Sequence, residues 1–436
     1  MVCGTICDCD DFDLISDWGE AHLDFLRRFM PYHHGVPCGR WLNIMINRTG
    51  PALFQEAFTA WVRETWPGRP DLVAIDGKTS RRSHDHALGA KALHLVSAFA
   101  TTSRLVLGQE PTPEKSGETS AIPVLLKRLA DGGGLKGALV SIDAIATNPA
   151  IAQAIRDTGA DYLLAVKANQ ATIRREIEDY FANAPSGCLA SHYEVDKGHG
   201  RIEERAVTVS AEIDWLQGAR HFPGEFRLPE EACVLRVKAR THLKDHCRAD
   251  TRYYISSRRL TPKDAAIAVR GHWAIENSLH WTLDTVFHDD LRRNRKGHGA
   301  INMAIVRHFA INLVRTLADK RSLKNRRKRP LRAVFSGPGH RAPPPTRRWT
   351  LAGLTEQAVL LGSPAYAGMD LNWKRAARAR NRLPRLRGDG PVRDAWRHIG
   401  RMAPPPTRGW TPAECSDSHI EEGSPAYAGM DPSWIS

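Results

Sequence analysis

At 436 residues the chain has room for two or three domains with cores of their own. Its 62 Lys+Arg against 48 Asp+Glu give a formal charge of +14, which favours a polyanionic partner without choosing between DNA and RNA. No run approaches the roughly 18 apolar residues of a membrane span, and the acidic opening "MVCGTICDCDDFD" lacks the basic and apolar parts of a secretion leader. The eight cysteines are scattered, as expected of reduced thiols in a cytoplasm. Cys3, Cys7 and Cys9 cluster without a matching second half, so they are not read as a metal site.

In chain order, residues 12–66 show helical periodicity, with apolar residues three and four apart in "EAHLDFLRRF" and Pro51 at a first-turn position of "PALFQEAFTAWVRETW". The period then changes. "DLVAIDGKT", "ALHLVSAFA" and "SRLVLGQE" read as three strands with short connections, hence an antiparallel meander. A helix over "ETSAIPVLLKRLADGGG" is followed by strand "GALVSIDAIAT", helix "NPAIAQAIRDTGA", strand "DYLLAVKA" and helix "NQATIRREIEDYFANA". Three strands followed by alternating helix and strand predict a mixed sheet covered on both faces. Residues 186–250 break the rhythm and read as a strand-rich insertion, after which "RYYISS" returns to the core. A long helix then starts at Thr261 as N-cap, with Pro262 at the first position and Asp264 at the third. A second apolar helix, "INMAIVRHFAINLVRTLA", leads into "KRSLKNRRKRPLR", with eight Lys or Arg in thirteen residues.

Two aspartates close apolar strands: Asp76 in "VAIDGKT" and Asp143 in "LVSIDAIAT". A charged carboxylate at a buried strand end is costly unless compensated, although a single one is more often a cap or turn residue. Glu276 in "RGHWAIENSLHW" reads, by itself, as a solvated charge on an amphipathic helix. Together the three acids have the composition of a carboxylate cluster around a hard divalent cation, since Mg2+ and Mn2+ prefer oxygen ligands. Asp284, one turn past His280, is the rival third acid. On a straight helix His272, Trp273 and His280 would lie near the Glu276 face. Trp273 and Trp281 read first as core packing, and the two histidines either as packing or as phosphate contacts.

"AIDGKT", "SIDA", "DYLLAVKANQ", "GHGRIEER" and "RGHWAIENSLHWTLDTVFHDD", in this order, resemble the DDE transposases of the ISAs family of insertion sequences, over residues 3–332. The resemblance implies an RNase H-like catalytic domain with Asp76, Asp143 and Glu276 as the metal-binding triad. It further implies two Mg2+ or Mn2+ ions, strand cleavage and strand transfer on insertion-sequence ends and target DNA, a homodimer on that DNA, and a bacterial cytoplasm close to the nucleoid. A related Tyr, Arg and Lys signature around the glutamate is absent, since Val269, His272 and Leu283 stand at those offsets, so only the triad carries over. Candidate DNA contacts are Lys78, Lys167, His199, Arg201, Arg270, His272, His280 and, in the basic run, Arg326, Arg327 and Arg329. The alternatives are a DNA-binding remnant without catalysis and a metal-dependent nuclease without strand transfer.

After residue 335 the periodicity stops. "APPPTR" recurs at 342 and 403 and "GSPAYAGMD" at 362 and 423, each pair 61 residues apart, with "RLPRLRGDGP" at 382 between them. One nucleotide string read in three frames encodes all three peptides, which resembles a translated array of CRISPR-type repeats. The expected organisation is a helical N-terminal region 1–68, a catalytic α/β domain 69–335 with its β-rich insertion at about 186–250, and a disordered tail 336–436. The resemblance also implies a further helix before "VCG" and a short segment after the basic run, so both ends are expected to be truncated.

Overall fold

The computed structural model describes residues 1–27, 31–65, 72–85, 89–112, 117–131, 134–198, 201–217, 226–242, 246–316 and 320–327. His199, Gly200, Arg329 and the repeat-bearing tail lie outside the described residues.

Five helices open the chain: α1 (Val2–Ile6), α2 (Phe12–Ala21), α3 (Leu23–Leu26), α4 (Gly39–Arg48) and α5 (Pro51–Thr65). Strands β1 (Leu72–Thr79), β2 (His94–Ala100) and β3 (Leu105–Thr112) form the expected antiparallel meander. Next come α6 (Glu118–Ala130), β4 (Leu139–Ile142), α7 (Pro149–Asp157), β5 (Asp161–Val166) and α8 (Ala171–Asn183). Asn148 caps α7 by accepting the Ile151 N–H at 2.9 Å, with Pro149 at the position where a missing N–H costs nothing. Strands β6 (Ala190–Gly198), β7 (Arg201–Ser210), β8 (Cys233–His242) and β9 (Cys247–Ser256) are long and antiparallel. They extend the same sheet, giving nine strands in the order β3-β2-β1-β4-β5-β9-β8-β7-β6. Only β1–β4 and β4–β5 are parallel.

Alternation along the strands sends residues to two different layers. Val73, Ile75, Val140, Ile142 and Leu164 pack against α6, α7 and α8. On the opposite face Ala74, Phe99 and Val106 meet α5 and α11 (Gly299–Thr316), in a cluster that also holds residues of α1, α3 and α4. Farther along that face Leu139, Leu163, Val207 and Leu235 meet the small residues Ala265 and Ala268 of α9 (Pro262–His272). Thr261 caps α9 as expected, accepting the Asp264 N–H at 3.2 Å.

One expected element differs. The helix begun at Thr261 is not continuous: α9 ends at His272, Ile275–His280 winds as a π-helix, and α-geometry resumes in α10 (Trp281–Thr285). Hydrogen bonds to the fifth residue widen the turn, so the angular offsets of a straight α-helix do not apply around Glu276. Hydrophobic spacing cannot reveal such a turn, because Ile275, Leu279 and Leu283 keep an apolar face through it.

Edge strand β3 is closed by a side chain. Asn312 of α11 accepts the Val106 N–H at 2.9 Å and donates to the Val106 carbonyl at 2.8 Å, and it is fully buried. An apolar residue there would leave two buried backbone groups without partners. Asn312→Leu should therefore lower the unfolding free energy by about 2–4 kcal/mol, read as the shift in urea midpoint. Ile267→Ala, at a position 60% exposed, should change it by less than about 0.5 kcal/mol.

Candidate active site

Asp76 shares its face of β1 with Leu72, Ala74 and Lys78, and so points away from the Val73/Ile75 layer. Contrary to the sequence expectation, it does not end its strand: β1 runs on to Thr79, paired with β2. The parallel register with β4 runs Ala74 to Ser141 and stops at Ile75 and Ile142. Asp76 and Asp143 each stand one step beyond that last pair, on neighbouring backbone segments whose spacing is about 4.8 Å. Glu276 comes from the π-helical turn and lines the same cleft. Asp76, Asp143, Glu276, Lys167, His272 and Trp273 line one cleft of about 470 Å³.

The acids are not equivalent. Burial pushes the Asp76 carboxyl up, against a hydrogen bond from the Gly77 N–H, and the charges of Glu118, Asp143 and Glu276 add to it, bringing it to about 6. Asp143 is also penalised by burial, but the Lys167 ammonium and the Ala144 N–H hold it below the ordinary carboxylate value. Lys167 Nζ lies 2.7 and 3.0 Å from the two Asp143 oxygens. His272 Nδ1 is 3.0 Å from Ser141 Oγ, and His280 Nδ1 is 3.6 Å from Asp76 Oδ2. Burial lowers both imidazoles, His280 to about 4, so both are neutral at pH 7.

The other candidates are elsewhere. Lys78, expected to touch the DNA backbone, is instead turned inward: Nζ lies 2.7 Å from Asp284, 3.6 Å from Asp289 and 3.3 Å from Asp290. Asp284, the rival third acid, faces Lys78 and is not among the residues that line the cleft of Asp76 and Asp143. Arg327 is likewise corrected from a DNA contact to a buried tie. Its guanidinium donates to the Val286 and Thr5 carbonyls, pairs with Asp8 at 3.0 Å and lies over the Phe287 ring. Arg326 is half-buried, with Nε bonded to the Arg321 carbonyl. Arg201 pairs with Glu203, and Arg270 with Glu194 and Asp196, along a charged groove that abuts the cleft. The tryptophans are not core residues: Trp273 is 41% and Trp281 60% exposed, and Arg252 lies over the Trp273 ring at 5.0 Å. Burial raises the Cys7 thiol to about 12 and that of Cys9 to about 11, which disfavours the thiolates a metal would need.

Two neighbours of the site escaped the sequence reading. Glu118 and His94 are buried and bonded at 2.7 Å, with His94 Nδ1 held by Thr79 Oγ1 at 2.7 Å. They pack so closely on the residue after Asp76 that a Cβ at Gly77 would fall 2.3 Å from Glu118 Oε1. The glycine in "IDGKT" was the available signal, but nothing local names residues 94 and 118 as its neighbours.

The raised Asp76 carboxyl has a consequence for stability. The folded chain holds this proton up to about pH 6, the unfolded chain only to its ordinary 3.8. Stability therefore falls as pH rises through that window, and the deficit is complete above it. The full linkage is reduced because the side chain is 32% exposed. Metal-free Asp76→Asn should be more stable than the parent at pH 7.5 by about 1–2 kcal/mol, and the gain should vanish near pH 4, as read by denaturation at both pH values.

Residues 67–313 match the family model described as the transposase DDE domain, and residues 1–62 match that of the domain associated with it. The "H repeat-associated putative transposase YhhI" of Escherichia coli is 36% identical over 321 residues, covering 72% of this chain and 82% of its own length. The protein YbfL of the same organism matches at the same identity and coverage. An uncharacterised protein from the dhlA 3' region of Xanthobacter autotrophicus is 33% identical over 267 residues, 60% of this chain and 86% of its own. The matched residues include Asp76, Asp143 and Glu276, and the chain belongs to the transposase DDE domain family.

Proposed function

We propose that the chain cuts and rejoins DNA at the ends of an insertion sequence, with Asp76, Asp143 and Glu276 as the carboxylates that hold Mg2+ or Mn2+. The observation that carries this reading is that acids from β1, from just past the adjacent strand β4 and from the π-helical turn line one cleft. The donor set suits a hard cation, being all oxygen. Asp143 already holds a cationic group, the Lys167 ammonium, and the Asp76 carboxyl is raised to about 6 by burial and, after it, by its acidic neighbours, a penalty that a bound cation would relieve. A pair of such ions supplies activation of an attacking oxygen and charge relief at the leaving oxygen of a phosphodiester.

The chain's own residues do the rest. Lys167 is 54% exposed and can leave Asp143 for a phosphate of the strand being cut. Ser141 fixes His272, whose neutral ring closes the cleft floor without adding charge. The order β3-β2-β1-β4-β5, with β1, β4 and β5 parallel, supports an RNase H-like core, and β6–β9 form its insertion. Arg201 and Arg270 line the adjoining groove as phosphate contacts, Arg326 is a further one on α12 (Leu323–Arg327), and His280 is read as a support for Asp76. The same reading carries the ISAs relationship, a catalytic domain of 69–335 after a helical region 1–68, and action as a homodimer beside the bacterial nucleoid. It also carries a repeat-derived tail 336–436 without a part in catalysis.

Asp76→Asn, Asp143→Asn and Glu276→Gln should each reduce Mn2+-dependent cleavage of element-end DNA by roughly 10²–10³-fold or more. Gel-shift affinity in EDTA should stay within about twofold, because phosphate contacts dominate that affinity. Retained cleavage in any of the three would remove that residue from the site, and cleavage without joined products would identify a nuclease.

The two described arginines of the basic run should separate. Arg326→Ala should weaken DNA binding and reduce the log–log salt slope by about 0.9. Arg327→Ala should leave that slope unchanged and lower the unfolding free energy by about 2–4 kcal/mol, since it strips partners from Asp8 and two carbonyls.

A further inference from the structure

Asp76, Lys78 and Ser80 follow one another at intervals of two and share a face. Each meets the segment that follows Glu276, in matching order. Asp76 Oδ2 is 3.6 Å from His280 Nδ1, Lys78 Nζ is 2.7 Å from Asp284 Oδ1, and Ser80 Oγ donates to Asp289 Oδ2 at 2.7 Å. Asp289 is held from behind by Arg307 of α11 at 2.5 Å, with both side chains only 4% exposed. The ladder has a counterpart at the other end of β1, where α9 rests on Leu72 at Gly271. A Cβ at Gly271 would come within 2.3 Å of Leu72 Cδ2, so the helix is as close there as it can be.

The glutamate-bearing segment is thus anchored to β1 on both sides, at Gly271 and at Asp284. Between the anchors it leaves α-geometry for the π-turn Ile275–His280, and Glu276 rides on that turn as an exposed residue. Its place is set by the anchors. Asp284, Asp289 and Asp290 have carboxylate oxygens within 4.8 Å of one another, but the Lys78 ammonium already lies among them.

We infer that Lys78 and Asp284 are positioning residues: their ion pair fixes the register of the glutamate-bearing helix along β1, and so the place of Glu276 relative to Asp76. This rests on the metal-site reading above, and direct Mn2+ binding by calorimetry on the full chain tests it without requiring turnover. Charge and position predict different signs. If these residues acted only through charge, Lys78→Met would tighten Mn2+ and Asp284→Asn would weaken it. Positioning requires that both weaken it, by about tenfold, and that Asp284→Glu, which keeps the charge and lengthens the arm, weakens it too. Asp284 is 37% exposed, so its two variants carry the test if Lys78→Met fails to fold. Arg81→Ala, at the exposed end of the ladder with the Arg81 side chain 82% exposed, should bind Mn2+ like the parent.

Asp284→Glu binding Mn2+ as the parent does, or folded Lys78→Met binding it equally or more tightly, would overturn the inference while Glu276→Gln still weakens binding. Equal affinity in the parent and Glu276→Gln would instead remove the metal site itself, and the ladder's purpose with it.

Discussion

Asp76 and Asp143 stand where the parallel pairing of β1 with β4 stops, with a glutamate lining the same cleft, and their like charges meet in a space that water only partly reaches. Much of the surrounding architecture answers this constraint. Lys167 at the end of β5 neutralises Asp143, whereas Asp76 has no cation directly on it and retains its proton to about pH 6. The Glu118–His94 pair behind Gly77 adds negative charge to that same side. Burial together with like charges held this close disfavours the ionised form of Asp76.

The large positive charge of the chain is, in the described residues, used internally to a considerable extent. Lys78 satisfies three carboxylates, Arg307 holds buried Asp289, and Arg327 ties α12 (Leu323–Arg327) to the first helix and to the segment after α10. Around the groove beside β6–β9, arginines face carboxylates in pairs. A phosphate chain entering that groove would exchange one set of anionic partners for another, at modest cost where the pairs are exposed. Net charge was therefore a poor guide to which cations are free to meet a polyanion.

The π-turn joins the two themes. Helix α9 must lie close enough to β1 for Gly271 to touch Leu72, and α10 must bring Asp284 to Lys78. A uniform α-helix has one rise and one twist per residue, and the widened turn supplies a departure from it at Glu276. The contacts on either side of the π-turn give the exposed Glu276 a defined place in the fold.

The sequence by itself determined the order of elements, the meander, the cap at Thr261 and the place of Asp143 just past its strand, because period-two and helical patterns and capping chemistry are local; it ended β1 too early, at Asp76. It also marked Glu276, through a motif whose residues are contiguous. Only the tertiary structure decided that Lys78 and Arg327 face inward, that Trp273 and Trp281 are exposed, and that Asp284 faces a lysine. Each of those outcomes depends on contacts between residues tens to hundreds of positions apart, and a charged or aromatic side chain has the same local signature whether it meets solvent, a phosphate or a distant carboxylate.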